Sequence, residues 1–251
     1  SDLRDALQLI GRVGKGLRGV RYTRRTETRP TPHPVHERPR TAIVDVDATA
    51  WTAAATAAEG TPNSLLLAVS AGVARRSGLK GPLSISIPVD ERDGDTVSNG
   101  VAMVGVTVDE DDDVSAIHAK ALHSYRQPRE GAPHGIPAEI LQLMPDRLAA
   151  RAARGAGERD LLCSNIGRVP PELANLGPHR TAGLAMRAMH PGLEQRHAAT
   201  ATRLSVYSCH STERCTLSFV ALDDERFPDA ATLRRYIDAE LADRGLTGRH
   251  R

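Results

Sequence analysis

Aromatic side chains are scarce in this chain of 251 residues: 3%, with one Trp, four Tyr and two Phe. Any core must therefore be assembled mainly from Leu, Val, Ile and Ala. Cysteine is equally sparse, and the odd count of three (Cys163, Cys209, Cys215) argues against a disulfide framework. No Cys-x-x-Cys or Cys/His ligand spacing occurs, so a structural metal site is not expected. Cys209 and Cys215 flank HSTER, a turn sequence, and read either as two free thiols or as a bridge across a hairpin. Charge of one sign is lacking too: 33 basic against 31 acidic residues leave a net +2, which gives no reason to expect nucleic acid as a partner. No apolar run approaches the roughly 18 residues of a membrane span, and no signal peptide opens the sequence. A cytoplasmic protein is the expectation.

What is present suits a soluble globular protein with a sizeable core, at 40% hydrophobic and 25% charged residues. Residues 1–19 carry Leu3, Leu7, Leu9, Ile10 and Val13 near helical spacing, weakened by Gly11, Gly14, Gly16 and Gly19. Residues 20–40 are basic and Pro-rich with almost no periodic apolar signal, which reads as an exposed linker. A regular pattern begins at residue 41. TAIVDVD reads as a strand and Ala48 to Ala58 as a helix stopped by Gly60. Thr61-Pro62 supplies a cap and a first-turn proline for a second helix, which Gly78 ends.

PLSISIPVD alternates as a strand, whereas GVAMVGVTVD does not alternate and is expected to be buried on both faces. DEDDDVSAIHAKALHSYRQ reads as a helix with acidic residues at its positive end. IPAEILQLMPDRLAARAAR continues as helix, kinked before Pro145. Four strand-like runs follow, DLLCSNI, TAGLAMRAM, TATRLSVYS and CTLSFVAL, and a helix from Asp229 to Gly245 closes the pattern. The order β-α-α-β-β-α-α-β-β-β-β-α predicts a mixed α/β layer, too irregular for a Rossmann wind or a barrel.

Several stretches in this order resemble one family. Thr61-Pro62-Asn63-Ser64 opens a helix as Thr-x-Asn-Asp does there, with Ser64 in place of Asp. Pro88-Val89-Asp90-Glu91-Arg92 ends a strand like a Pro-Val-x-x-Arg run, and Ser98-Asn99 stands for a Gly-Asn-like pair. Ser164-Asn165-Ile166 matches the start of Ser-Asn-Val-Pro-Gly-Pro, while Gly167-Arg168-Val169-Pro170 departs from its tail. Tyr207-Ser208 represents a Ser-Tyr pair in altered order. The chain thus resembles the C-terminal half of the bacterial wax ester synthase/diacylglycerol acyltransferase proteins. These belong to the superfamily of chloramphenicol acetyltransferase-like enzymes and peptide-synthetase condensation domains.

That resemblance implies an α/β fold, the C-terminal lobe of a two-lobed CoA-dependent (chloramphenicol acetyltransferase-like) acyltransferase, with a mixed sheet and flanking helices. Residues 1–19 would be the end of the N-terminal lobe, 20–40 the interlobe linker and 41–251 the C-terminal lobe. The implied reaction moves an acyl group from a thioester, acyl-CoA or carrier-bound, to an alcohol or diacylglycerol. A condensation-like enzyme acting on carrier-bound intermediates, or a non-catalytic binding or scaffold lobe, are the alternatives.

The family's catalytic signature, His-His-x-x-x-Asp-Gly, is absent. In the family its second histidine is the general base, a task suited to a side chain whose pKa lies near working pH. None of the ten histidines here is adjacent to another. His33 and His36 fall in the linker, His118 and His123 share a helix, and His190 precedes Glu194 at His-x-x-x-acid spacing in a loop. All read as helix, loop or surface histidines. A Gly-x-Ser-x-Gly elbow is missing, and GRVGKG lacks both the spacing and the preceding strand of a phosphate loop.

The catalytic residue is thus expected outside this sequence, in an N-terminal half carrying the histidine motif, whether cleaved from the same precursor or separately encoded. Ser164 and Asn165 are the candidates for hydrogen-bonding the thioester carbonyl or the oxyanion that forms on attack. Asn63, Arg92, Asn99 and Ser208 are candidate tunnel or structural polar groups. No tightly bound cofactor and no metal are expected, the acyl thioester being a substrate. The resemblance also implies peripheral contact with a membrane or lipid droplet.

Overall fold

The computed structural model describes residues 33–34, 39–91, 101–127, 145, 159–181, 183–187 and 199–251. The expected helices over 1–19 and 136–154 lie outside these residues, as do most of the linker and residues 92–100. Within the linker, strand β1 (His33–Pro34) pairs with β8 (Ala199–Thr200), a short ladder that the Pro-rich composition concealed.

A sheet of seven strands organises the rest. Its members are β2 (Arg40–Asp47), β3 (Leu83–Asp90), β4 (Val101–Val108), β5 (Leu161–Arg168), β9 (Leu204–His210), β10 (Arg214–Ala221) and β11 (Gly248–His250), in the order β11-β2-β10-β9-β5-β3-β4. The three central neighbours β9, β5 and β3 run parallel, and every other pair is antiparallel. A separate hairpin, β6 (Asn175–Leu176) with β7 (His179–Arg180), follows a short 3-10 turn at Pro171–Ala174.

Four helices cover one face of this sheet: α1 (Ala48–Ala57), α2 (Pro62–Arg76), α3 (Val114–Arg126) and α4 (Ala230–Ala242). Their apolar side chains join those of alternate strand residues, such as Val44, Ile85, Leu161, Cys163, Val206, Leu217 and Phe219, in one core. The helix α2 is central, lying over β5 and β9 and touching α1, α3 and α4. Leu65, Leu66, Leu67, Val69 and Val73 are buried at 0–1% exposure. A fully buried side chain of this size stabilises by about 1.5–3 kcal/mol, so α2 is the main anchor of the helical layer.

Its start is fixed by a capping box. Thr61 Oγ1 accepts from Ser64 N at 3.2 Å, and Ser64 Oγ accepts from Thr61 N at 2.7 Å. The single tryptophan, Trp51 on α1, is fully buried and donates from Nε1 to the carbonyl of Pro62 at 3.3 Å, tying α1 to the first turn of α2.

Three expectations need correction. First, β4 is an edge strand rather than one buried on both faces: Val104, Val106 and Val108 are buried while Val101 and Thr107 are exposed. Valines on both sides of a strand end do not reveal whether a neighbour lies beside it. Second, Thr181 and residues 183–187 form no strand, despite their apolar character. Third, Asp109 to Asp113 lie before α3 rather than inside its first turn. Asp113 caps the helix, its Oδ1 accepting from Ala116 N at 2.8 Å, and Asp109 and Asp112 hold the Lys120 ammonium. The four helices and the strands β2, β3, β5, β9 and β10 match their sequence patterns to within a few residues, whereas the 3-10 turn, the β6–β7 hairpin and β11 were not expected, GRH having no apolar signal.

Candidate functional site

Three of the six candidate residues, Ser164, Asn165 and Ser208, lie near the C-terminal end of β5, where the strand carries LLCSNIGR. Leu161 and Cys163 point into the helical core, and Cys163 is close enough to Ser70 on α2 to share a hydrogen bond with it. Alternation along the strand then sends Ser164 to the face opposite the four helices and Asn165 to the helical face. The two side chains flank one strand end from opposite sides. Ser164 is half-buried and Asn165 exposed.

Immediately after Asn165 the ladder with β9 breaks. The pairs run in step from Leu161↔Leu204 to Asn165↔Ser208, then resume only at Arg168↔His210. Ile166 and Gly167 form the intervening bulge. Gly167 has φ +86°, a conformation that L side chains rarely adopt, and its N–H donates to Asn165 Oδ1 at 2.9 Å. The strand is stitched back by Val169 N donating to His210 O at 2.7 Å. Because the Asn165 oxygen is engaged by this turn, its Nδ2 is the group left as a donor toward a ligand.

Ser208, the register partner of Asn165, is 2% exposed, and its Oγ has no hydrogen-bond partner. Two residues on, His210 ends β9, half-buried, with Nε2 3.9 Å from the Sγ of Cys215 on the neighbouring strand. Burial first, and the charge of Arg168 second, push the His210 pKa below its ordinary value. The imidazole is therefore neutral at neutral pH. Burial also pushes the Cys163 and Cys215 thiols up to about 12, which keeps them protonated and unreactive.

Cys209 and Cys215 do not face each other. Cys209 pairs with Thr216 and Cys215 with His210, so the two side chains leave opposite faces of the hairpin, and all three cysteines are free. Asn63 is drawn into structure: its Nδ2 donates to the Tyr125 hydroxyl at 2.8 Å and joins the start of α2 to the end of α3. Arg92 and Asn99 lie outside the described residues. Among the described residues no three His, Cys, Asp or Glu side chains converge as a metal site would require. No helix among them is long and apolar enough to cross a membrane. Sequence reasoning passed over His210 and Ser218. For Ser218 the available signal was its place between Leu217 and Phe219 in RCTLSFVA, while LSVYSCH carries none for His210.

No protein-family model matches the chain, and no curated protein matches its sequence. Solved structures do match. The wax ester synthase/diacylglycerol acyltransferase from Marinobacter aquaeolei VT8 superposes with a TM-score of 0.55 at 13% identity, over 94% of this chain and 56% of that one. The condensation domain from the Monacolin K polyketide synthase MokA gives 0.55 at 13% identity, over 96% of this chain and 58% of that one. The nonribosomal peptide synthetase FmoA3 gives 0.51 at 15% identity, over 86% of this chain and 22% of that one. The chain has the fold of condensation and acyltransferase domains, a mixed α/β lobe, and spans little more than half the length of the first two structures.

Proposed function

We propose that this chain is the C-terminal lobe of an O-acyltransferase. It would take an acyl group from a thioester, either acyl-CoA or carrier-bound, and pass it to an alcohol or a diacylglycerol. The observation that carries this reading is the likeness of fold to the wax ester synthase over 94% of the chain, with a polar strand end at Ser164 and Asn165.

In this reading the acceptor hydroxyl attacks the thioester carbonyl, the C–O bond forms and the C–S bond breaks. The negative charge that develops on the carbonyl oxygen needs a fixed donor, and Asn165 Nδ2, oriented by the Gly167 turn, is that donor. The proton of the acceptor hydroxyl passes to a histidine in a second segment bearing His-His-x-x-x-Asp-Gly, and from there to the leaving thiolate. Ser164, on the other side of the strand, would hold the donor rather than the oxyanion.

The equal TM-score of the Monacolin K condensation domain supports a second reading, transfer between carrier-bound intermediates. Intact-mass measurement of the protein purified from its natural source tests the requirement for a second segment. The expected result is a companion polypeptide, or one longer chain, containing the histidine motif. Recovery of this chain alone, inactive toward every alcohol and amine acceptor offered with acyl-CoA, would overturn both readings.

A further inference from the structure

One stretch of the sheet face opposite the four helices is nearly as well buried as the helical core. Asp45 on β2 pairs with Thr216 on β10, and Thr216 with Cys209 on β9, a row whose members are 8%, 4% and 3% exposed. Residues 183–187, which join no strand, supply part of the cover. Cys209 Sγ donates to the carbonyl of Leu184 at 3.0 Å, and Gly183 lies against the guanidinium of Arg251. A Cβ on Gly183 would overlap that guanidinium, and its φ of +153° is itself one that L side chains rarely adopt.

Arg251 stands where β11, β2 and this segment meet. Its backbone N–H donates to the carbonyl of Ile43 at 3.1 Å, extending the three-residue pairing of β11 with β2. Its Nε and Nη2 lie 2.8 Å and 2.6 Å from Asp45 Oδ2, while Thr216 Oγ1 donates to Asp45 Oδ1 at 2.6 Å. Both carboxylate oxygens are thereby occupied, and the guanidinium is fixed beside Gly183. On the helical side of β11, His250 Nε2 lies 2.6 Å from Asp238 Oδ1 on α4.

The two faces are held with different firmness. The helical face is closed by a continuous apolar core, whereas residues 183–187 are tied down through a sulfur hydrogen bond and a contact with Arg251, just beyond a short edge strand. Gly183, Met186 and Arg187 are exposed. Segments with few buried apolar contacts open at the lowest free energy in a fold.

We propose that Arg251, docked on Asp45, latches residues 183–187 as a strap across the Asp45–Thr216–Cys209 row, and that the strap opens while the helical core stays closed. The inference goes beyond the acyltransferase reading and does not depend on it, since it concerns only access to this face.

Cysteine alkylation reads strap and core separately in one sample. Cys209 lies under the strap, and Cys163 and Cys215 lie in the helical core. Timed treatment of the full chain with N-ethylmaleimide, followed by peptide mass spectrometry, gives a rate for each thiol. Arg251→Ala should raise the Cys209 rate about tenfold or more, the effect of losing a charged hydrogen bond on the opening equilibrium, and leave Cys163 and Cys215 unchanged. Ionisation works in the other direction. Burial first and Asp45 second oppose the Cys209 thiolate and Arg251 favours it, so loss of Arg251 by itself slows alkylation. Gly183→Ala crowds the strap from its own side and leaves β11 intact. It should raise the Cys209 rate as well, and it decides the matter if Arg251→Ala fails to fold. An unchanged Cys209 rate in either folded variant overturns the proposal. So does a parallel rise at all three cysteines, which would make Arg251 a support of the whole fold.

Discussion

His210 is the residue whose titration the fold reports most directly. The unfolded chain takes up its imidazole proton near 6.5, and the folded chain does so only at lower pH because burial and Arg168 oppose the charge. Above 6.5 both states are neutral and His210 contributes no pH dependence. As the pH falls below 6.5 the unfolded state binds the proton first, so stability declines. Urea midpoints measured from pH 8 to pH 5 should fall over the acidic part of the range, and His210→Gln should flatten that slope; identical slopes would remove His210 from the account. The cysteines offer a second check at this scale. Treating the folded chain with a mild thiol oxidant should leave three alkylatable thiols by mass spectrometry, because Cys209 and Cys215 leave opposite faces of their hairpin. A Cys209–Cys215 disulfide would contradict that register. The sequence placed both cysteines beside a turn, but facing depends on whether each sits at an odd or even step from it. A single-residue change in turn length reverses the answer.

At the scale of elements, α2 and α4 are joined where glycine is required. A Cβ on Gly72 would lie 2.0 Å from Glu240 Oε1, and Glu240 is the buried carboxylate that holds Arg76 Nε at 3.1 Å and Arg244 Nη2 at 2.7 Å. Alanine favours a helix interior over glycine by about 1 kcal/mol, yet displacing a buried carboxylate from its partners costs more. Gly72→Ala should therefore lower unfolding stability by about 1–3 kcal/mol in a urea titration. A gain in stability would mean that Glu240 moves aside freely. The helices and central strands were readable beforehand because capping at Thr61 and Asp229 and apolar periodicity act locally. Strand order was not. Neither the parallel pairing of β5 between β3 and β9 nor the edge position of β4 has a local signal, since both depend on crossovers far along the chain.

For the whole molecule, the sheet separates two kinds of surface. One face is covered by helices through Leu, Val, Ile and the lone Trp51, and the other mixes Ser, Thr, Tyr and Asp with Ile43, Leu162, Cys209 and Val220. The strand end carrying Ser164 and Asn165 was recognisable as a polar break in an apolar run. That the pair divides between the two faces was visible only once Cys163 was fixed against α2. In the proposed acyltransferase reading, this division places Asn165 and Ser164 on opposite sides of the strand end, with Asn165 as the donor toward the reacting carbonyl. The fold supplies both groups but no adjacent histidine pair, which makes the need for a second segment the central claim. Its most direct test is to mix this chain with a segment bearing the His-His-x-x-x-Asp-Gly motif and follow acyl transfer from a long-chain acyl-CoA to a long-chain alcohol. Transfer should appear only in the mixture, vanish when the second histidine of the motif is replaced by alanine, and fall by about tenfold or more in kcat with Asn165→Ala. Transfer by this chain alone, or transfer that survives loss of that histidine, would contradict the account.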